Sequence, residues 1–345
     1  MTESIARELN IQKDYLGNEM VNTIYFGGGT PSLLEPDEIG SLFESIHKSY
    51  QVDSTPEITL EANPDDLSKK KLQELKNAGI NRLSIGIQSF DNAVLKFLHR
   101  AHDAKAAIES VHNSREVGFE NIGIDLIYAI PDQGDDQWRM NIDAALTLNP
   151  NHISAYSLTI EEKTVFGKWK KQKKLKEVEE SIAAHQLEVL IDQLAVSGFE
   201  QYEVSNFCKP GFYSRHNSSY WKQIPYLGVG PGAHSFNLVS RQHNISNNAL
   251  YIKSLDEGKI PFEFEPLTME NKINEYIFTT LRTHWGCDLD RLKTEFNYDP
   301  RIVHASQLQS YIQLGYGTMD RSILKLTKKG MLIADKISSD LFVDS

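Results

Sequence analysis

Over the first half of the chain, apolar runs of strand length alternate with stretches of helical period, and this alternation restricts the fold more than any other feature. The runs are Asn22–Phe26, Glu57–Glu61, Arg82–Ile87, Asn121–Tyr128 and His152–Leu158. Between them, apolar spacing predicts helices over Pro36–Tyr50, Leu67–Asn77, Ala104–Val117 and Asp135–Leu146, then a longer one over Val178–Val196. Strands separated by helices are joined by right-handed crossovers, which makes the sheet parallel. Five such units without a Rossmann-type opening predict an α/β barrel or partial barrel over residues 1–198.

The 345 residues suffice for that domain and a smaller one. After Gly198 the rhythm is lost. "YEVSNFCKPGFYSRHNSSYWKQIPYLGVGPGAHSF" is rich in Gly, Pro and aromatics, so 199–260 reads as an irregular segment at the barrel mouth. From 261 to 345 the pattern is helical again, with Ile273, Ile277 and Leu281 on one face. A helix over Val303–Leu314, a short strand "SILKL" and a last helix "KKGMLIADKISSDLF" complete a module of winged-helix type. Such modules often bind DNA. Here the module carries 10 Lys/Arg against 12 Asp/Glu from Phe262 onward, and the whole chain has a net charge of −11. Protein contact or barrel capping is therefore expected, and nucleic acid is not.

The one strongly basic run, "KWKKQKKLKEVEE" (Lys168–Glu180), reads as a solvated helix start with Lys173/Glu177 and Lys176/Glu180 pairs. Two cysteines, Cys208 and Cys287, cannot build a disulfide framework, which points to a reducing, cytoplasmic setting. No apolar run approaches the ~20 residues of a membrane span. The charged N-terminus has no signal-peptide core.

Ligands of parallel α/β folds bind beyond the carboxyl ends of the strands, and unusual polar residues recur at those ends. The first strand breaks into Gly27-Gly28-Gly29-Thr30. The second ends "ITLEANPDD" with Glu61 and Asn63, and the third ends in Gln88 and Ser89. Asp125 sits inside the fourth, and Ser157, Thr159 and Glu161 close the fifth. Triple glycine as a strained turn, Asn-Pro-Asp as a helix cap and a buried Asp as a satisfied core residue are ordinary structural readings when taken singly. Five in register point to a polar ligand. Glu61 suits a ribose diol, which it would accept from twice, and Arg100 suits a carboxylate. A nucleoside joined to an amino acid fits this set.

"IYFGGGTPSLL", "EANPDDL", "GINRLSIGIQSFDNAVLKFLHRAH", "GIDLIYAIPDQ", "SAYSLTIE" and "YLGVGPGAHSF" resemble the oxygen-independent coproporphyrinogen III oxidase family of radical S-adenosylmethionine (SAM) proteins. "HNSSYW" resembles a signature of that family's heme-chaperone branch. The resemblance implies a partial (β/α)6 barrel with SAM, a [4Fe-4S] cluster and heme as cofactors, and a heme-acceptor protein as partner. It implies SAM contacts at Gly28, Gly29, Thr30, Glu61, Gln88, Arg100, Asp125 and Ser157, and a heme-associated element at His216, Asn217, Tyr220 and Trp221. His216 is open to two readings there, axial ligation of heme iron or holding the loop in place.

The family also implies a CxxxCxxC triad ahead of the glycine run, where three thiolates would hold a [4Fe-4S] cluster. The sequence has no cysteine before Cys208. It therefore reads as lacking the first barrel strand and cluster loop, as a chain begun at an internal methionine would. Without that strand, Asn22–Phe26 becomes a sheet edge, and SAM cleavage is not expected of this sequence. Three functions follow from the resemblance: a heme chaperone, a coproporphyrinogen-decarboxylating enzyme, or a cluster-less relict that only binds. No catalytic residue is assigned.

Overall fold

Each of the five apolar runs forms a strand: β1 (Val21–Phe26), β2 (Val52–Ala62), β3 (Arg82–Gln88), β4 (Asn121–Tyr128) and β5 (His152–Ser157). The structure, a computed structural model, describes residues 1–161, 164–173, 175, 176 and 178–343. Strands β2 to β5 pair in parallel and in sequence order. Every residue of β3 up to Ile87 is buried, as expected for a strand covered on both faces. Leu60, Leu83, Ile85, Ile122, Ile124 and Ile153 have no exposed surface.

The helices that alternate with these strands are α1 (Thr2–Ile11), α2 (Pro36–Ser49), α3 (Lys69–Asn77), α4 (Asn92–Phe97), α5 (Ala104–Glu116), α6 (Asp135–Thr147), α7 (Val165–Lys171) and α8 (Glu180–Val196). Ser68, Asp91 and Asp103 cap α3, α4 and α5 with side-chain oxygens that accept first-turn backbone N–H groups. Lys168, Lys170 and Lys171 lie in the last turn of α7, where cations complement the helix dipole. The start of the basic run, Lys168–Lys171, thus closes α7, where the sequence reading expected a helix to begin. The expected Lys173/Glu177 pair lies outside the described residues.

The sheet has seven strands in the order β1-β2-β3-β4-β5-β7-β6. Strands β6 (Glu200–Gln201) and β7 (Asn206–Cys208) are short and antiparallel to their neighbours, so the sheet is mostly, not wholly, parallel. The stretch read as irregular holds these two strands and further elements: α9 (Arg215–Trp221), β8 (His234–Phe236), β9 (Ser240–Asn244) and α10 (Asn248–Asp256). With β10 (Phe262–Pro266), β8 and β9 form an antiparallel sheet in the order β10-β9-β8.

The C-terminal module comprises α11 (Met269–Leu281), β11 (Cys287–Asp288), α12 (Leu289–Phe296), α13 (Pro300–Val303), α14 (Ala305–Gln313), β12 (Gly317–Asp320), β13 (Ile323–Leu326), α15 (Lys328–Met331) and α16 (Ala334–Ser339). Its core includes Ile273, Ile277, Leu281, Leu292, Leu324 and Ile337. The helix expected over Val303–Leu314 divides at His304, and the last one divides near Leu332. No helix among the described residues is long and apolar enough to cross a membrane.

Two compact units result. One comprises Met1–Ile24, Leu34–Glu57 and Arg215–Ser345, and the other Tyr25–Leu33 and Ile58–Ser214. In the first, α1 is fixed by a buried carboxylate. Glu8 has no exposed surface and accepts from Gln12 Nε2 at 3.0 Å, Asn244 Nδ2 at 2.7 Å, the Gly230 N–H at 2.8 Å and the Tyr251 hydroxyl. Burial, then Glu8 itself, pushes the Tyr251 phenol far above its usual range, so it remains a donor.

Candidate functional site

Glu61, near the end of β2, organises one group of polar residues within the unit Tyr25–Leu33 plus Ile58–Ser214. Its carboxylate accepts from Tyr25 Oη at 2.7 Å and from the Gly28 N–H at 3.2 Å. Burial, then Glu61, raises the Tyr25 phenol far above its usual range, which keeps it a proton donor. The three glycines serve two purposes. A Cβ on Gly27 would stand 2.7 Å from the Tyr25 ring and 3.2 Å from Glu61 Oε1, so this glycine is required by the Tyr25–Glu61 contact. Gly28 (φ +70°) and Gly29 (φ +59°) adopt the left-handed region, with open space where a Cβ would project. Their backbone is exposed and approachable.

A second group forms at the end of β3. Gln88 has φ +67°, uncommon for a residue other than glycine, and the β3–β4 register shifts between Ile85 and Gln88. Such backbone costs on the order of 1–3 kcal/mol and concentrates at functional sites. The Gln88 amide lies 2.9 Å, and Arg100 Nη2 3.5 Å, from the place a Gly86 Cβ would occupy. Arg100 Nη2 donates to Asn63 Oδ1 at 2.6 Å and to the Gly86 carbonyl at 3.3 Å. One arm of the guanidinium is anchored on the protein, which orients the fork.

Asp125 on β4 accepts from Ser84 Oγ at 3.2 and 3.4 Å. Burial pushes its carboxyl up to about 6; hydrogen bonds from Ser154 and Ser84 hold it back, and Glu61 adds to the rise. The folded carboxyl keeps its proton to about pH 6, whereas an ordinary one has a pKa of 3.8. Its contribution to stability is full below the lower value and declines as pH rises through the higher one. Asp125→Asn should therefore raise stability at pH 7.5 by about 1–3 kcal/mol and flatten the profile between pH 4 and 6. Urea denaturation across that range measures this, and an unchanged slope would contradict it.

Thus Gly28, Glu61 and Asp125 are linked through contacts or charge, and Gln88, Arg100 and Asn63 converge around Gly86. Ser157 is exposed opposite Tyr128 in the ladder, and Thr30 is half-buried after the glycines. Neither side chain bonds to these groups among the described residues. Tyr25 and Ser84 were not foreseen, because each reads as an ordinary residue of a buried strand.

The "HNSSYW" element belongs to the other unit. Buried Glu57 accepts from the Arg215 N–H at 3.0 Å and the His216 N–H at 2.9 Å, which opens α9. His216 Nδ1 meets Thr23 Oγ1 at 3.0 Å, and Nε2 meets Tyr220 Oη at 2.9 Å. Both ring nitrogens thus have protein partners. Tyr220 packs edge-on against Tyr226 at 4.7 Å, and the Arg282 guanidinium lies 5.7 Å from the Trp221 ring centre. Asn217 is half-buried in the same helix.

The residues present do not fit an iron–sulfur cluster. Cys208 and Cys287 lie in different units, both buried, and burial pushes each thiol up to about 12. A cluster needs thiolates. Among the described residues, no three His, Cys, Asp or Glu side chains gather to hold a metal.

A model of the radical SAM superfamily matches residues 2–145, and one of the HemN C-terminal domain matches residues 267–333. The heme chaperone HemW of Lactococcus lactis is 34% identical over 326 residues, covering 94% of this chain and 86% of that protein. The HemW of Bacillus subtilis is 34% identical over 323 residues, covering 93% and 85%. The chain belongs to the HemW family of radical SAM proteins. Among solved structures, coproporphyrinogen III oxidase (HemN) of Escherichia coli superposes with a TM-score of 0.82 at 22% identity, over 99% of this chain and 82% of that one. The HemW-family fold is thus the mostly parallel α/β fold of radical SAM proteins with a helical C-terminal module. Glu61, Gln88, Arg100 and Asp125 all fall inside the superfamily match.

Proposed function

We propose that the protein is a heme chaperone that binds heme and SAM and delivers heme to an acceptor protein. The reading is carried by the Glu61 arrangement, a carboxylate held by Tyr25 and Gly28 at a strand end, in a chain about a third identical to HemW proteins. In this reading Gly28, Gly29 and Thr30 face the methionine part of SAM, and Glu61 and Gln88 the ribose. The anchored Arg100 fork takes the carboxylate, and Asp125 and Ser157 border the cofactor. When bound, SAM supplies a sulfonium and an amino-acid head, and the acidic residues Glu61 and Asp125 offset the positive charge. No redox step is assigned to these residues. Oxidative decarboxylation of a porphyrinogen is the weaker reading, since the relatives about a third identical over most of this chain are heme chaperones.

The test is titration with hemin and, separately, calorimetric titration with SAM. A shifted Soret band and saturable SAM binding are expected, followed by heme transfer to an apo-acceptor. Absence of heme uptake would overturn the chaperone reading, and absence of SAM uptake would remove SAM from it.

A further inference from the structure

We propose that heme docks on an aromatic and basic patch built by α4, the turn after it and α7, with the His99 imidazole as axial ligand to the iron. This assignment rests on the heme-chaperone reading and names the site that would serve it. Phe97 stacks on Phe166 at 5.1 Å, and Phe166 meets Trp169 edge-on at 5.6 Å. The His99 ring lies 5.7 Å from Trp169 and 6.1 Å from Phe166. Three aromatic rings and an imidazole therefore form one contiguous group, and His99 is exposed. On α7, Lys170 follows Phe166 by four residues and so shares its helix face.

An open cleft of about 430 Å³ adjoins His99 and is lined by Leu95, Lys96, Arg100 and Asp103 among others. That volume falls in the range of small-molecule sites. Heme combines a flat macrocycle, two carboxylates and an iron that accepts imidazole. Aromatic side chains pack on such a macrocycle, lysines pair with its carboxylates, and a neutral imidazole ligates the metal. A simple phosphate or carboxylate ligand would use the cations but not the rings. Among the described residues lining the cleft, Asp103 is the acidic one, against Lys96 and Arg100. His216 is the less available imidazole, since Thr23 and Tyr220 engage both of its nitrogens. Arg100 both lines the cleft and reaches Asn63 beside the Glu61 group, which would set heme next to the proposed SAM cradle.

The experiment is hemin titration of the full chain and of His99→Ala, followed in the Soret region, with folding checked by circular dichroism. His99→Ala should weaken heme binding about tenfold and lose the imidazole-ligated spectrum, which added free imidazole should restore. Lys170→Glu should weaken binding severalfold while leaving that spectrum intact. If the unaltered chain takes up no heme, the chaperone reading itself fails. If it does, and His99→Ala binds equally with the same spectrum while His216→Ala does not bind, the docking site is overturned and the chaperone reading stands.

Discussion

Replacing Glu8 by alanine is expected to destabilise the protein by about 3–5 kcal/mol, the range for removing one member of a buried charged network. Four donors converge on this carboxylate: Gln12, Gly230, Asn244 and Tyr251. All sit where water does not reach Glu8. Removing the acceptor leaves each donor to find another partner or bear its desolvation. Glu8→Gln keeps one carbonyl oxygen but turns an NH2 group toward donors, so an intermediate loss of about 1–3 kcal/mol is expected. The midpoint of urea unfolding should fall for both variants. A loss below about 1 kcal/mol in the alanine variant would show that solvent or a rearranged neighbour replaces the carboxylate.

The second large effect concerns ligand affinity. Glu61→Ala should lower SAM affinity by about 10–100-fold, corresponding to about 1.4–2.8 kcal/mol. The carboxylate is the group proposed to accept from the ribose, and it also fixes Tyr25 and the Gly28 N–H. Glu61→Gln retains one acceptor for Tyr25 while losing charge and the paired acceptor geometry, so about tenfold is expected. Calorimetric titration with SAM provides the readout, and Arg100→Ala gives a comparison at the opposite end of the ligand. Equal SAM affinity in Glu61→Ala and the unaltered chain would remove Glu61 from the proposed site. Stability should change little, because Glu61 is only half-buried.

The strands β1 to β5 were legible because each is an apolar run bounded by helical periodicity, and the observed ends differ by only a few residues at most boundaries. The segment around 199–260 was not, for an identifiable reason. Strand β9 buries Ser240, Gln242 and Asn244 in place of apolar residues. Gln242 bonds to Gln12, and Asn244 to Glu8. A strand whose inward face is polar and paired with a distant helix carries no hydrophobic alternation to read. The pair β6 and β7 is too short for any periodicity. At the candidate site, Glu61, Gln88, Arg100 and Asp125 stood out because charge or amide groups interrupt apolar strands or follow them. Tyr25 did not, because a tyrosine between isoleucine and phenylalanine reads as packing until its hydroxyl is seen on Glu61. The double engagement of His216 was equally hidden, since Thr23 lies 193 residues away in sequence.

The attachment of α1 also governs how the chain must be made. Glu8 and Tyr251 are 243 residues apart in sequence. At about 5–20 residues per second during synthesis, the partners Gly230, Asn244 and Tyr251 emerge on the order of 10–50 s after Glu8 does. Through that interval α1 can pack on α2 but Glu8 lacks three of its four donors, whereas the continuous stretch Ile58–Ser214 already has its own parallel strands available. Completion of the discontinuous unit is thus a late event in biogenesis, and the carboxylate of Glu8 stays without its distant donors until the chain has passed Tyr251.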